Sequence, residues 1–596
     1  MSQSPSSSVQ GWRLPRRVAY VVNHSYPYSS DGYAVRTHEI ARALVKRGHD
    51  VIVFNRPGHP WDADDFPSDQ KVAPEQVIDG VRYVFLPGDT QAATNRRARL
   101  RQAERTLLEA FEIFRPNAVI AVSNWENAEP AQYAARRYGV AFHYEQRGFW
   151  EMTHATCNPG YEESEEYQRD RTNELQIAKA AKLVFTLSGA MRDELVARGV
   201  DRNKILLVPN GVSRPNPTRA RLDRKDIGCT SRYLLGYVGS LKDYEGTQDL
   251  LRLLSTLRKD GLDVDLMVVG SGAPKGLVGT SHVSKAEQEL RDEIERLGLR
   301  DAVHLIAQVE QSQVGPYYSL MDAMIMPRHS TPVTDLVPAL KPYTAAAYGV
   351  PMFLSDLAPL VEMAPDIHAS IFPEGNIPEL ARMVRHTLEH GGHPAVLNTL
   401  KPEVFWDKRV DPMVRALQQA EQAAKPLSDI FGSAASPHAA SAVDAEAPKA
   451  RFDAHILPRV ALRGNTGADP VAAIGPCAHL PEDTQITRLT RANLLSELAL
   501  GDVGCFIIDW AGLQEDPGEW SGLWSIANMR LNRQIMDACR IALDQGWRLQ
   551  VIGPVLRSQA PLFRTVADVF EEIQPAQPML EQAEADQDAQ RQEASA

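Results

Sequence analysis

Three stretches of this sequence put glycine, small polar and basic residues where an apolar strand gives way to a helix. In VNHSYPYSSDGYAVRTHEIARAL a strand ends at Asn23, a loop carries Ser29, Ser30, Asp31 and Gly32, and a helix is expected from about Thr37. A loop at a strand's C-terminal end that feeds a helix suits an anion, because unpaired amides and the helix dipole face it. Gly32 would admit close backbone approach and Arg36 would supply charge. GYVGSLKDYEG repeats the architecture, with a strand ending at Val238, then Gly239, Ser240 and Lys242, then a helix from about Gly246 to Arg258. Its amides and one point charge fit a phosphate. In MDAMIMPRHSTPVTDLVPALKPYTAAAYGVPMFLSD a strand ends at Pro327 and a loop carries Arg328, Asp335 and Lys341 before an Ala-rich helix. Lys341 at a helix N-terminus is poorly placed unless an anion lies nearby. YEQRGFWE sets Glu145 and Arg147 at another strand end, as cleft residues or as a structural ion pair. Each glycine loop has a plainer reading too, as an ordinary strand-to-helix turn.

Other chemistries lack their motifs. No H-E-x-x-H or similar ligand spacing appears, and no G-x-S-x-G elbow, so neither a metal nor a serine nucleophile is expected. His24, His38 and His143 read as structural or loop residues, and Glu362 as a residue reaching the cleft or favouring its helix dipole.

The elements that position these loops are short apolar runs separated by amphipathic stretches. RVAYVVN, DVIVFN, VRYVFL, NAVIAV, VAFHYE and KLVFTL form one series, and YLLGYVG, VDLMVVG, AVHLIAQ, DAMIMP, PMFLSD and ASIFP a second. Strands that are apolar throughout and alternate with helices indicate parallel sheets in an α/β protein. The expected organisation is a disordered N-terminus over 1–15, a Rossmann-like domain over 16–213, and a second over 214–424. A flexible Ala/Ser/Pro linker at 425–451, a small α/β unit at 452–577 and a polar tail at 578–596 follow. In the small unit RVALRG, CFIIDW and RLQVIG read as strands and the stretch between Asn528 and Gly546 as an amphipathic helix. Its Trp510, Trp520 and Trp524 suit packing or an interaction surface.

A chain of 596 residues exceeds one compact core. Hydrophobic residues at 43% and charged residues at 23% are those of a globular protein. Lys and Arg number 64 against 76 Asp and Glu, a net charge of −12 that argues against nucleic acid as partner. Five dispersed cysteines without a C-x-x-C pair suit a reducing compartment. With no secretory signal and no apolar run of spanning length, the expected location is cytoplasmic, with room for peripheral contact at the inner face of a membrane.

In this order the stretches resemble family-4 glycosyltransferases, retaining enzymes of the GT-B fold, over roughly residues 16 to 424. NHSYPYSSDGYAVRTHEIARALVKRGHDV is similar to that family's first loop, helix and second strand. TLSGAMRDELVARGV with KILLVPNGV is similar to its interdomain approach, GYVGSLKDYEGTQDLL to its donor-diphosphate loop, and LVPALKPYTAAAYGVPMFLSD to its nucleotide helix. The resemblance implies two Rossmann-like domains facing a cleft, and transfer of a sugar from a nucleotide sugar to a glycan or lipid-linked acceptor. No metal or other cofactor is implied. It also implies catalytic roles for Arg147, Arg36 and Lys242, and donor contacts from Gly32, Gly239, Ser240, Lys242, Glu245, Arg328, Lys341 and Thr344.

Thr344 stands where the family's K-P-L-E-A-M-A segment carries a ribose-binding glutamate, and Glu245 where a basic residue is common. Losing a charged acceptor would cost about 1.5–3 kcal/mol, and Asp335 is placed to compensate. The rival reading is therefore a catalytically impaired relative, kept as a structural or regulatory subunit. The small C-terminal unit, vaguely like α/β modules appended to bacterial polysaccharide transferases, would serve as a scaffold or dock a protein partner.

Overall fold

The computed structural model describes residues 14–573 apart from 64–65, 68–69, 89–94, 215–221, 271–284, 308, 310–312, 392–398, 422–469 and 478–483. The expected disordered start before residue 14, the linker, the tail and the RVALRG strand lie outside the described residues. The chain divides into two compact units, one built on residues 16–108 and 116–422 and the other on the C-terminal part.

The first unit contains two sheets. Strands β1 (Arg17–Val22), β2 (Asp50–Asn55), β3 (Glu75–Ile78), β4 (Val81–Val84), β5 (Ala118–Val122), β6 (Ala141–Glu145), β7 (Val184–Thr186) and β8 (Ile205–Leu207) form an eight-stranded sheet ordered β3-β4-β2-β1-β5-β6-β7-β8. All its pairings are parallel except β3 with β4. Strands β9 (Tyr233–Val238), β10 (Val264–Val269), β11 (Val303–Ile306), β12 (Ala323–Met326), β13 (Met352–Ser355) and β14 (Ser370–Phe372) form a parallel six-stranded sheet ordered β11-β10-β9-β12-β13-β14. Strands such as β1, β2, β5, β10 and β12 are buried along their whole length, in keeping with their predominantly apolar sequences. The strand order reverses beside β1 in the first sheet and beside β9 in the second. Such switch points open a crevice at the strands' C-terminal ends.

The two domains are not consecutive in the chain. The segment expected to close the second domain returns to the first: Trp406, Val410, Met413, Val414, Leu417 and Ala420 join the core around β1, β2 and β5. The helix Asp411–Glu421 is amphipathic and buries its apolar face there. Two chain crossings therefore link the domains, and they pair with each other through a bridge between Val212 and Phe405.

In the second unit β15 (Val471–Ile474), β16 (Ile486–Arg488), β17 (Cys505–Ile508), β18 (Arg548–Ile552) and β19 (Glu571–Ile573) form a parallel sheet ordered β16-β15-β17-β18-β19. The helix Met529–Gln545 runs between Asn528, whose side chain accepts from the Leu531 amide, and Gly546 in the left-handed region. Trp510, Trp520 and Trp524 are buried, with Trp510 and Trp524 ring centroids 5.2 Å apart, so this run is packing. No helix among the described residues is long and apolar enough to cross a membrane.

Candidate active site

The loops leaving β9 and β12 flank the switch point of the second sheet, and they build a compact charged cluster there. Glu245, in the β9 loop, is buried and its carboxylate accepts from Arg328 Nη2 at 2.7 Å and Nε at 3.1 Å. Lys341 Nζ lies 3.2 Å from Glu245 Oε2 and donates to the Tyr237 hydroxyl at 3.2 Å. The Tyr237 hydroxyl oxygen also lies 3.2 Å from Glu245 Oε2. Two cations thus share one buried carboxylate. Despite burial, which alone would raise it, the Glu245 carboxyl is held down to about 2 by Arg328 and Lys341. Burial and the neighbouring Arg328 push the Lys341 ammonium below its usual value, against the pull of Glu245.

Two glycines make this approach feasible. A Cβ on Gly239 would lie 2.1 Å from Lys341 Nζ, so the lysine side chain passes where any other residue would put its own. Gly246 has φ +72°, and a Cβ there would fall 1.8 Å from the Pro327 carbonyl oxygen. The structure thus brings Gly239, Glu245, Arg328 and Lys341 together, from loops 100 residues apart.

Other sequence-derived donor residues sit differently. The Gly239 amide donates to the Val269 carbonyl at 2.8 Å, continuing the sheet, so it is not offered to a phosphate as expected. The Ser240 carbonyl accepts from the Tyr237 hydroxyl at 2.8 Å. Lys242 is exposed, its ammonium 5.6 Å from the Tyr244 ring centroid. Thr344 neighbours the buried Tyr318 hydroxyl within its own domain. Asp335 accepts from the Ser330 hydroxyl at 2.8 Å on the loop exterior.

In the first domain the helix after β1 starts at Gly32, five residues before the expected Thr37, because Asp31 caps it by accepting from the Ala34 amide at 2.9 Å. A Cβ on Gly32 would meet nothing within 4 Å, so the position is open. His24 Nε2 lies 2.9 Å from Asp31 Oδ2 and steadies the cap.

Arg36, expected to flank the sugar and diphosphate, and Arg147, expected to line the reaction centre, are the two cations of a buried network centred on Glu145. Arg36 donates through Nε to Glu145 Oε1 at 2.8 Å, and through its other nitrogens to Asn210 Oδ1 at 3.0 Å and the Val208 carbonyl at 2.7 Å. Arg147 donates to Glu145 Oε2 at 3.0 Å, to the Tyr33 carbonyl and Thr37 hydroxyl at 2.8 Å, and to the Tyr20 hydroxyl at 2.5 Å. Burial raises the Glu145 carboxyl, but Arg147 and Arg36 together hold it at about 2. Exposures of 2% for Arg36 and 7% for Arg147 leave neither guanidinium facing a ligand in this arrangement. A buried charge demands a partner, and Glu145 is it. The network ties the strand ends beneath the 23–31 loop to the helix that follows it.

Across the cleft, Glu362 accepts from the Gly189 amide at 2.8 and 3.0 Å, capping a first-domain helix from the second domain. The Ser188 hydroxyl donates to the Leu336 carbonyl at 2.8 Å. Of the two readings of Glu362, this is the first: it reaches across, and the helix terminus it serves belongs to Gly189–Ala197 and not to its own helix Ala358–Ile367.

Among the described residues, one group has metal-ligating geometry, Cys229 with Asp265 and His304. Asp265 is already matched there by Ser231 at 2.7 Å, Arg258 at 3.1 Å and His304 at 2.9 Å, near the start of β10 rather than at its C-terminal end.

Residues 31–211 match the family described as a glycosyl transferase 4-like domain, and residues 232–390 the glycosyl transferases group 1. Between them the two matches span more than half of the chain. Glycogen synthase from Mycobacterium tuberculosis is 24% identical over 350 residues, 56% of this chain and 77% of that protein. D-inositol 3-phosphate glycosyltransferase 2 from Catenulispora acidiphila is 23% identical over 343 residues, 53% of this chain and 74% of that protein. Among solved structures, sucrose-phosphate synthase from Thermosynechococcus elongatus is similar with a TM-score of 0.52 at 16% identity, covering 69% of this chain and all of that one. Anabaena Alr3699/HepE, in complex with UDP-glucose, follows with a TM-score of 0.50 at 13% identity, covering 68% of this chain and 99% of that one. At these identities the structural likeness speaks for the fold.

Proposed function

The chain belongs to the glycosyltransferases of the GT-B fold, and from that premise we propose that it moves a sugar from a nucleotide-sugar donor to an acceptor hydroxyl with retention at the anomeric carbon. The observation that carries this reading is the Glu245–Arg328–Lys341 cluster at the switch point of the second sheet, where two cations meet one carboxylate. The unmatched positive charge suits a diphosphate, with exposed Lys242 on the same loop as a further point charge. In this reading Arg328, Lys341 and Lys242 stabilise the departing diphosphate, while the acceptor hydroxyl, held by the first domain, attacks from the same face. Arg36 and Arg147 are positioning residues. They tie the helix Gly32–Lys46 to Glu145 and to Val208 and Asn210 after β8, and Gly32 leaves the rim open for the sugar.

The relatives named as glycogen synthase and inositol phosphate glycosyltransferase support a glycan or glycoconjugate acceptor. The Alr3699/HepE complex supports a nucleotide-sugar donor. The proposed setting is the cytoplasm, in keeping with Cys229, Cys477, Cys505 and Cys539, which are buried and form no disulfide. The second reading, an impaired subunit, is favoured by one observation: Thr344, in the first turns of the helix Lys341–Ala347, supplies no carboxylate to a ribose.

Calorimetric titration of the full chain with UDP, GDP, ADP and TDP separates the two. The transferase reading expects one nucleotide to bind at micromolar concentration, and Lys341→Ala to weaken it by about tenfold or more. No binding by the natural protein, with affinity appearing in Thr344→Glu, would establish the impaired subunit instead.

A further inference from the structure

Where the chain crosses between the two domains, a cavity of about 460 Å³ opens beside the paired crossings, and it shares no residue with the Glu245 cluster. Arg42 and Lys46 reach it from the last turns of the helix Gly32–Lys46, Arg214 from the outgoing crossing, and Lys408 from the returning one. Phe405 and Trp406 form an aromatic wall, and the Arg214 guanidinium lies 4.5 Å from the Phe405 ring centroid. Asp407 is the one carboxylate among the lining residues. Arg42 pairs with Glu39 at 2.6 Å and Lys46 reaches Asp407 only at 3.6 Å. Among the described residues neither Arg214 nor Lys408 has a carboxylate partner. Four cations against two nearby carboxylates leave an excess of positive charge at this concavity, in a chain of net charge −12, that suits an anion. Its volume is that of a small-molecule site, and an apolar wall with a few converging charges is how such sites are built.

We propose that this cavity binds a small phosphorylated ligand, its phosphate held by Lys408, Arg214 and Lys46 and its body against Phe405 and Trp406. The placement gives the ligand a grip on both crossings. Val212 and Phe405 form a bridge, the Val212 amide donates to the Val404 carbonyl at 2.9 Å, and the Trp406 ring lies 5.5 Å from the Arg36 guanidinium.

Glucose 6-phosphate, unphosphorylated glucose and inorganic phosphate are titrated calorimetrically into the full chain. The natural protein, Lys408→Glu, Arg214→Glu and the double variant are compared after matching their melting curves. Both side chains are exposed, so folding survives the reversal, and Lys408→Gln serves as the milder substitution. The expected result is millimolar or tighter binding of the hexose phosphate, none of glucose, and a loss of at least about tenfold in the double variant. Lys341→Ala is expected to leave that binding unchanged. Sedimentation with phosphatidic acid vesicles is the second arm: binding there that the double variant loses assigns the phosphate to a lipid headgroup, while binding of the hexose phosphate alone assigns it to a soluble ligand. Either outcome upholds the site. No binding in both arms, or binding that the double variant retains, overturns it.

Discussion

Replacing Glu245 with glutamine tests the donor cluster in two directions at once. The carboxylate is 3% exposed, and it is what Arg328 and Lys341 share. Breaking a buried ion pair from one side costs about 3–5 kcal/mol, because the remaining charges stay buried and unmatched. The pH linkage leads to a similar figure. A carboxyl held at about 2 against an ordinary 4.5 contributes about 3 kcal/mol. Because its folded value lies below its unfolded one, that stability is complete above the unfolded value and fades as the pH falls toward 2. Glu245→Gln should therefore melt about 6–12 °C lower at neutral pH, by calorimetry. Its stability should also fall less than the natural protein's on acidification from pH 5. The second direction is opposite in sign. Without the carboxylate, Arg328 and Lys341 have no competing anion, so the cognate nucleoside diphosphate should raise the melting temperature of the variant more than that of the natural protein. A loss below about 1 kcal/mol would mean the cluster is already solvated. A ligand-induced rise that is equal or smaller in Glu245→Gln would refute the diphosphate assignment even if the destabilisation appeared.

In the first domain, Glu145→Gln should destabilise by a comparable 3–5 kcal/mol in urea, because Arg36 and Arg147 lose their shared counter-ion. Nucleotide affinity, measured calorimetrically below the melting transition, should stay within about threefold, and a larger loss would return these arginines to the ligand. Glu174 has the reverse linkage. Burial, aided by the Glu151 charge, raises its carboxyl to about 8, so folding takes up a proton between the ordinary 4.5 and that value. Stability should decline over that interval by at most about 1.4 kcal/mol per pH unit. Glu174→Gln should flatten this slope in urea titrations at pH 5 to 8, and parallel curves for the two proteins would contradict the assignment.

The alternating strands of both domains were legible because burial on both faces leaves apolar runs with no polar register. Every run quoted for β1, β2, β4 to β7 and β9 to β14 contains a strand. The edge strand β3 was not among them, although EQVI-DG-VRYV carries a two-residue hairpin signal at Asp79 and Gly80, both with positive φ. In the second unit β15 is VAAI, whose small side chains gave little apolar contrast. The early start of the helix at Gly32 had a signal in Asp31, an N-cap residue. The site was legible as residue types at strand ends but not as partnerships. Arg36 and Glu145 are separated by 109 positions, and nothing local says that one buried carboxylate will claim both arginines. Glu245 looked like a departure from a basic preference. In three dimensions it is the anchor for Arg328 and Lys341.

The returning segment at Trp406 to Ala420 also constrains how the protein is made. A ribosome delivers the eight strands of the first sheet long before the residues that seal its core. The second domain, continuous in the chain, is complete in between. At about 5–20 residues per second, the roughly 200 residues after β8 take some ten to forty seconds to emerge. Through that interval the first sheet waits with the face later covered by Met413 and Leu417 open to water and to other apolar surfaces. The second domain behaves as an insertion that folds first. Release of the chain after the helix Ile377–His390 but before residue 406 would leave a nascent product with a complete second sheet and an exposed first one, the form on which a chaperone would act.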